Sequence, residues 1–180
     1  MDANAYQRLA ARTLIDAPDS RFTSNELAVM IEALTLSAKV GKVMEYLKKG
    51  ICHRHGFELS HLLALLEQVS EQCIDVHTAY KVPMNVSVPV DRQMLIWNAL
   101  GLSGEAGEIA ELVAGIEHGT PDRDKLIKEL GDSEWYTAAL CTKIGASLDE
   151  VFERNIAKLR QRYPNGYSSE DSKKRVDAHE

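Results

Sequence analysis

Four carboxylates in this sequence stand out by their spacing. Glu105 and Glu108 are three residues apart, and Glu129 and Asp132 repeat that interval. On a helix, residues three apart lie about 60° apart around the axis and share a face. A short turn at His118-Gly119-Thr120-Pro121 separates the two segments, and short connections favour antiparallel packing. Two acidic pairs facing each other across a hairpin can converge on one spot. Clustered carboxylates repel unless cations neutralise them. Hard oxygen donors suit Mg²⁺, with Mn²⁺ as a substitute, and such ions keep waters and take up substrate phosphates. Gly104, Gly107 and Gly131 flank the acidic positions inside helical stretches, each costing about 1 kcal/mol relative to Ala. A missing side chain there leaves room for an ion and a phosphate. A solvated acidic face is the alternative for a lone Glu-x-x-Glu. Two pairs on neighbouring helices, with glycine beside both, weigh against it.

Asn155, Lys158 and Arg162 are spaced three and four apart, so they share one helical face. A cationic stripe opposite an ion cluster would hold a polyphosphate, Arg as a fork and Lys as a point charge. The same helix carries Glu153 and Arg160, so an ordinary solvated face is the competing reading. Base stacking needs an aromatic. Trp97 and Trp135 are the two tryptophans, with Tyr136 beside the second, and a place in the core is the alternative for each. Such a site would work by metal-assisted hydrolysis: ions neutralise and orient a polyphosphate and make a bound water nucleophilic near neutral pH. Glu105 or Glu108 would take the proton as general base, with little to choose between them.

The elements that must position these groups are helical nearly throughout. A first helix covers 3–15 and stops at Ala17-Pro18-Asp19-Ser20. Thr23 and Glu26 form a capping box, which opens a helix to about Lys49 with Gly50 at its C-terminal cap. The stretch from Glu58 to Tyr80 carries Leu59, Leu62, Leu63, Leu66 and Val69 at helical spacing. Residues 82–90 alternate between two prolines, and with no second strand in sight they read as an extended linker. Asp91 caps a helix to Gly115. Further helices span 122–144, stopped by Gly145, and 147–163, opened by a second capping box of Ser147 and Glu150. Residues 167–180 are mostly polar and read as a loose tail.

Residues 32–45 set over 98–111 agree at six of fourteen positions, and the loops after them share Gly-Ile and His-Gly pairs. This points to two copies of one helical hairpin. In the first copy Lys39 and Lys42 stand where the second has Glu105 and Glu108, and Leu65 and Gln68 stand where it has Glu129 and Asp132. Only the second copy can build the acidic site.

Composition sets the frame. The chain has 180 residues, 44% apolar and 27% charged, enough to bury a core without staples. A formal net charge of −6 argues against a general nucleic-acid binder, which needs a basic face. No apolar run spans a bilayer, and the N-terminus lacks a secretory pattern. Three scattered cysteines do not make a disulfide framework. A cytoplasmic setting is the expectation, with no membrane partner. Cys52, His53, His55 and His61 match no standard zinc spacing. Only Glu58-x-x-His61 exists where a di-iron bundle needs two such segments. No phosphate-binding Gly-x-x-x-x-Gly-Lys loop occurs. Cys73 and Cys141 are expected in the core.

Residues 98–113 and 128–136 resemble the two acidic motifs of the MazG-like, all-α nucleoside triphosphate pyrophosphohydrolases, and 154–166 resembles their closing helix. The close match covers about 90–166, and Tyr6-Gln7 through Thr13 resembles the family's opening helix. The resemblance implies Mg²⁺ held by Glu105, Glu108, Glu129 and Asp132, with Asn155, Lys158 and Arg162 on nucleotide or phosphates. It implies cleavage of a nucleoside triphosphate between the α and β phosphates, giving monophosphate and pyrophosphate, and house-cleaning of the nucleotide pool. Ser133 and Glu134 depart from the apolar residues usual after the second motif, which bears on the expected homodimer. The expectation is therefore an all-α bundle: a degenerate half at 1–82, a linker at 83–90, a catalytic half at 91–166 and a tail at 167–180. The degenerate half would stand in for one subunit, making a pseudo-dimer within one chain. The competing functions are a related all-α dUTP or phosphoribosyl-ATP pyrophosphohydrolase, and a nucleotide-binding or interaction protein without turnover.

Overall fold

In the computed structural model, residues 1–14, 22–56, 58–115 and 119–174 are described. They form seven α-helices and one 3₁₀ turn, with no strand among them. The expected stop at Ala17-Pro18-Asp19-Ser20, the loop residues Ile116 and His118, and the tail from 175 onward lie outside the described residues.

Helix α1 is Ala3–Ala10, continued by a 3₁₀ turn at Ala11–Thr13. Helix α2 is Ser24–Ile51 and opens on the expected capping box: the Thr23 hydroxyl accepts from the Glu26 N–H, and the Glu26 carboxylate accepts from the Thr23 N–H at 2.7 Å. Gly50 does not cap it. Gly50 is buried in the last turn, and the chain reverses later, at Arg54 (φ 58°) and Gly56 (φ 74°). Helix α3 is Leu59–Lys81 and helix α4 is Val90–Ala114. Pro89, not Asp91, is the N-cap of α4; Asp91 lies in the first turn, where a negative charge suits the helix dipole. Helix α5 is Arg123–Lys143, capped by the Asp122 carboxylate, and ends at Gly145 with φ 72°. Helix α6 is Leu148–Arg162, where the Ser147 hydroxyl accepts from the Glu150 N–H.

Two hairpins result. Helix α2 lies along α3, α4 along α5, and the hairpins join where α2 meets α4. Leu27, Val88 and Ile96 form one buried cluster, backed by Phe22, Met30, Ile31 and Leu34. The alternation at 85–88 has its cause here. Val86 and Val88 turn inward against α2 and α4 while Asn85 and Ser87 stay exposed, so a one-sided strap mimics a strand pattern. Gln93 donates to the Val88 carbonyl at 2.7 Å and fixes that strap to α4.

The second cluster is Ala138, Cys141 and Leu148, covered by Ala3, Tyr6 and Ala10 of α1. Cys141 is buried as expected, whereas Cys73 is exposed. The reason is the stripe on α3: Leu65 is buried, but Leu59, Leu63, Leu66 and Ile74 face outward. Part of the expected loose tail is ordered. Ser169–Lys174 forms helix α7, and its buried Ser172 hydroxyl lies 3.1 Å from His53 Nδ1.

At the join, Ser37 Oγ donates to Ser103 Oγ at 3.1 Å. These two serines occupy matching positions in the aligned segments 32–45 and 98–111.

Candidate active site

Helices α4 and α5 lie side by side, which turns two sequence intervals into one cluster. One carboxylate oxygen each from Glu105, Glu108 and Glu129 lies within 4.8 Å of the other two. Glu105 and Glu129 are half-buried and Glu108 is exposed. Asp132 lies one turn beyond Glu129, exposed and outside this tight group. Its charge still reaches the cluster: burial first, then Glu108, Asp132 and Glu129, push the Glu105 carboxyl above its usual range, against a smaller pull from Lys128. The site thus disfavours its own full ionisation. Among the described residues this is the one group of His, Cys, Asp and Glu side chains close enough to share an ion. Cys52, His53, His55 and His61 form no such group.

A Cβ added at Gly104, Gly107 or Gly131 would meet nothing within 4 Å beyond its own stretch of helix, among the described residues. Helix packing within the chain therefore does not require them. Gly101 is different: the Tyr136 ring lies against its backbone, in the space a Cβ would fill. Here glycine is what lets α4 and α5 approach.

Helix α1 closes one side of the α4–α5 hairpin. The Tyr6 hydroxyl donates to the Gly131 carbonyl at 3.2 Å. Burial and the charges of Glu134 and Asp132 raise the Tyr6 phenol above its usual range. Gln7 holds the start of α6: its Nε2 donates to the Ala146 carbonyl at 2.9 Å, and its Oε1 accepts from the Leu148 N–H at 2.8 Å. Trp135 Nε1 donates to Thr13 Oγ1 at 2.8 Å. These contacts join residues more than a hundred positions apart, and no local pattern announces them. The likeness of Tyr6-Gln7 to an opening helix was the available signal.

Trp97 is half-buried, with Phe22 edge-on at 6.0 Å. It lines a cavity of about 80 Å³ with Thr13, Met94, Asn98, Trp135 and Tyr136. Asn98 is buried and donates to the Met94 carbonyl at 2.7 Å.

The cationic stripe lies on α6, and none of its residues belongs to the tight carboxylate group. Asn155 and Lys158 are exposed on α6, where every residue from Val151 to Gln161 is exposed. Arg162 is half-buried, its guanidinium 5.8 Å from the centre of the Tyr163 ring. Helix α6 packs on α1 and makes no extensive contact with α4 or α5. The apolar face of α6 has no cover among the described residues: Val151, Phe152, Ile156 and Leu159 remain exposed. Ser133 is half-buried with its hydroxyl lacking a hydrogen-bond partner, and Glu134 is exposed.

Comparison with known proteins agrees with this arrangement. Residues 96–167, which run from α4 through α6, match the MazG nucleotide pyrophosphohydrolase domain. The chain is 40% identical over 78 residues to the Gene 37 protein of Mycobacterium phage L5, an alignment covering 40% of this chain and 68% of that protein. No solved structure matches. The chain belongs to the MazG family of all-α proteins, and its domain supports a nucleotide pyrophosphohydrolase type of activity. Residues 1–95, with the whole α2–α3 hairpin, lie outside the matched stretch.

Proposed function

We propose that this protein hydrolyses a nucleoside or deoxynucleoside triphosphate between its α and β phosphates, giving a monophosphate and pyrophosphate. The convergence of Glu105, Glu108 and Glu129 from two helices onto one point carries the reading. The donor set fits Mg²⁺ or Mn²⁺, being all carboxylate oxygen. The mutual repulsion expressed at Glu105 is what a bound cation would relieve. Glu105, Glu108 and Glu129 would hold the metal, with Asp132 completing the set from the next turn of α5. When bound, the metal supplies charge neutralisation for the phosphates and a more acidic water. Glu105 or Glu108 accepts the proton of the attacking water. The water oxygen joins one phosphate fragment while the bridging bond breaks toward the other. The open backbone at Gly104, Gly107 and Gly131 gives the polyphosphate room beside the carboxylates.

Trp97, with Asn98, Trp135 and Tyr136 beside it around the small cavity, offers an aromatic surface for the base end of the substrate. Trp97 lies eight residues before Glu105 on α4, about 12 Å along the axis, a span suited to a nucleotide. Asn155, Lys158 and Arg162 would reach a polyphosphate once α6 meets an acidic site, in this chain or in a second copy. The uncovered apolar residues of α3 and α6 favour a homodimer. Removal of aberrant nucleotides from the pool is the role such a reaction would serve. We further propose that the α2–α3 hairpin is a degenerate copy of the α4–α5 hairpin, which makes the chain an internal pseudo-dimer. The Ser37–Ser103 contact supports it.

The test is product analysis by ion-exchange chromatography, with common and deoxy triphosphates, dUTP and phosphoribosyl-ATP, in Mg²⁺ and in EDTA. Monophosphate and pyrophosphate should appear together and only with metal. Unchanged turnover by Glu129→Ala would remove these carboxylates from the reaction.

A further inference from the structure

The α2–α3 hairpin holds an open groove of about 540 Å³, lined by Ala38, Gly41, Lys42, Glu45, Tyr46, Lys49, His61 and Leu65. In the aligned segments, Gly41 and Lys42 match Gly107 and Glu108 of α4. Leu65, on the opposite wall, matches Glu129 of α5. The groove is therefore the counterpart of the space in which the acidic cluster converges, with its charge reversed.

The charges around it do not cancel. Glu45 is the one carboxylate among the lining residues, and it is engaged twice, by Lys48 and by Lys49, the latter at 2.9 Å. Those contacts hold its pKa down at about 2, so it stays anionic and committed to its own helix. Lys42 is exposed and pairs with no carboxylate among the described residues. Lys39 sits one turn before it, half-buried and likewise unpaired among the described residues. Among the lining residues Lys42 and Lys49 set against Glu45 leave a surplus of one positive charge, and Lys39 and Lys48 lie on the same helix beside them. His61, packed on the Tyr46 ring at 4.6 Å, adds a further nitrogen donor at the far wall. Gly41 again has open space where a side chain would stand.

We infer that this groove binds a di- or triphosphate group directly through its lysines, without a metal ion. The acidic half needs an intervening cation to hold phosphate. In the first half the positive charge is built into the chain at the matching places, and a polyphosphate of two or more charges complements it. Because Leu65 replaces the Glu129 carboxylate, the groove lacks the carboxylate set that would hold a metal over the phosphates, so it binds and does not cleave. Such a site gives the protein a second place to sense pyrophosphate or a nucleotide while the acidic half turns over. It stands whether or not that half proves catalytic.

The test is titration calorimetry of the full chain with inorganic pyrophosphate in EDTA at low salt, where metal-dependent binding is absent. Saturable binding that weakens with added salt is expected. Lys42→Ala should weaken it by at least about tenfold, the loss of one charge-assisted contact. Lys42→Arg should retain it, and circular dichroism should show both variants folded. A parallel titration with a nucleoside triphosphate in EDTA identifies the source. Tighter, Lys42-dependent binding marks a nucleotide; equal Lys42-dependent binding marks a free polyphosphate. Absence of saturable pyrophosphate binding by the wild type would overturn the inference. So would binding that Lys42→Ala leaves intact, or that Lys158→Ala abolishes instead.

Discussion

Removing one carboxylate from the cluster should stabilise the metal-free protein. Glu129 has two carboxylate neighbours with oxygens within 4.8 Å. Two unit charges at that separation repel by about 0.9 kcal/mol in bulk water and about 3.5 kcal/mol at the effective dielectric of a protein surface. Glu108 is exposed and Glu105 and Glu129 are half-buried, so the watery end of that range applies. Two such terms, reduced by salt, leave about 1–2 kcal/mol of relief in Glu129→Gln. Glutamine matches glutamate in helix propensity and nearly in shape, so little is lost in exchange. For a chain of this size the gain is roughly 2–8 °C in Tm. The assay is thermal unfolding followed by circular dichroism, in EDTA and in excess Mg²⁺. The wild type should gain stability from Mg²⁺, since a ligand of the native state stabilises it, and Glu129→Gln should lose most of that gain. A lower Tm for Glu129→Gln in EDTA, or an undiminished Mg²⁺ effect, would refute the electrostatic account of the site.

The two kinds of glycine should respond in opposite senses. Gly101→Ala places a methyl into the Tyr136 ring and should destabilise by about 1–3 kcal/mol, read from urea midpoints. Gly107→Ala meets open space and should add about 1 kcal/mol of stability, while turnover falls if phosphate occupies that space. Gln7→Ala strips hydrogen bonds from the Ala146 carbonyl and the Leu148 N–H and should cost about 1–3 kcal/mol; an unchanged denaturation curve would count against α1 as the clamp on α6. The Glu45 carboxyl, held at about 2 by Lys48 and Lys49, has a depressed folded-state pKa. Its contribution is present above the ordinary glutamate range near 4.3 and is lost as pH falls toward 2. Glu45→Gln should therefore flatten that part of the stability profile, measured as Tm against pH.

The helices were legible because apolar periodicity and capping are local. The capping box of Thr23 and Glu26, the cap at Ser147 and the stop at Gly145 stand where the residue types put them. Where local signals were ambiguous, packing decided. Gly50 reads as a cap but is buried within α2, and the turn falls to Arg54 and Gly56. The strand-like alternation at 85–88 arises from a strap with one buried side. The leucines of α3 have the spacing of a core stripe, yet most of them have no cover among the described residues.

The acidic motif was legible for the same reason as the helices. Intervals of three, on two helices joined by a short turn, leave few ways for the carboxylates to avoid meeting. Sequence alone therefore determined the all-α class, the hairpins and the acidic positions on facing helices. Tertiary structure decided which of them meet closely: Glu105, Glu108 and Glu129 do, with Asp132 at the rim. It also left Asn155 and Lys158 exposed on a helix without extensive contact to α4 or α5, and it clamped α1 to α5 through Tyr6. Periodicity fixes which face of a helix a residue occupies. Only the packing of that helix against its neighbours determines what the face meets, because that depends on every other apolar surface seeking cover.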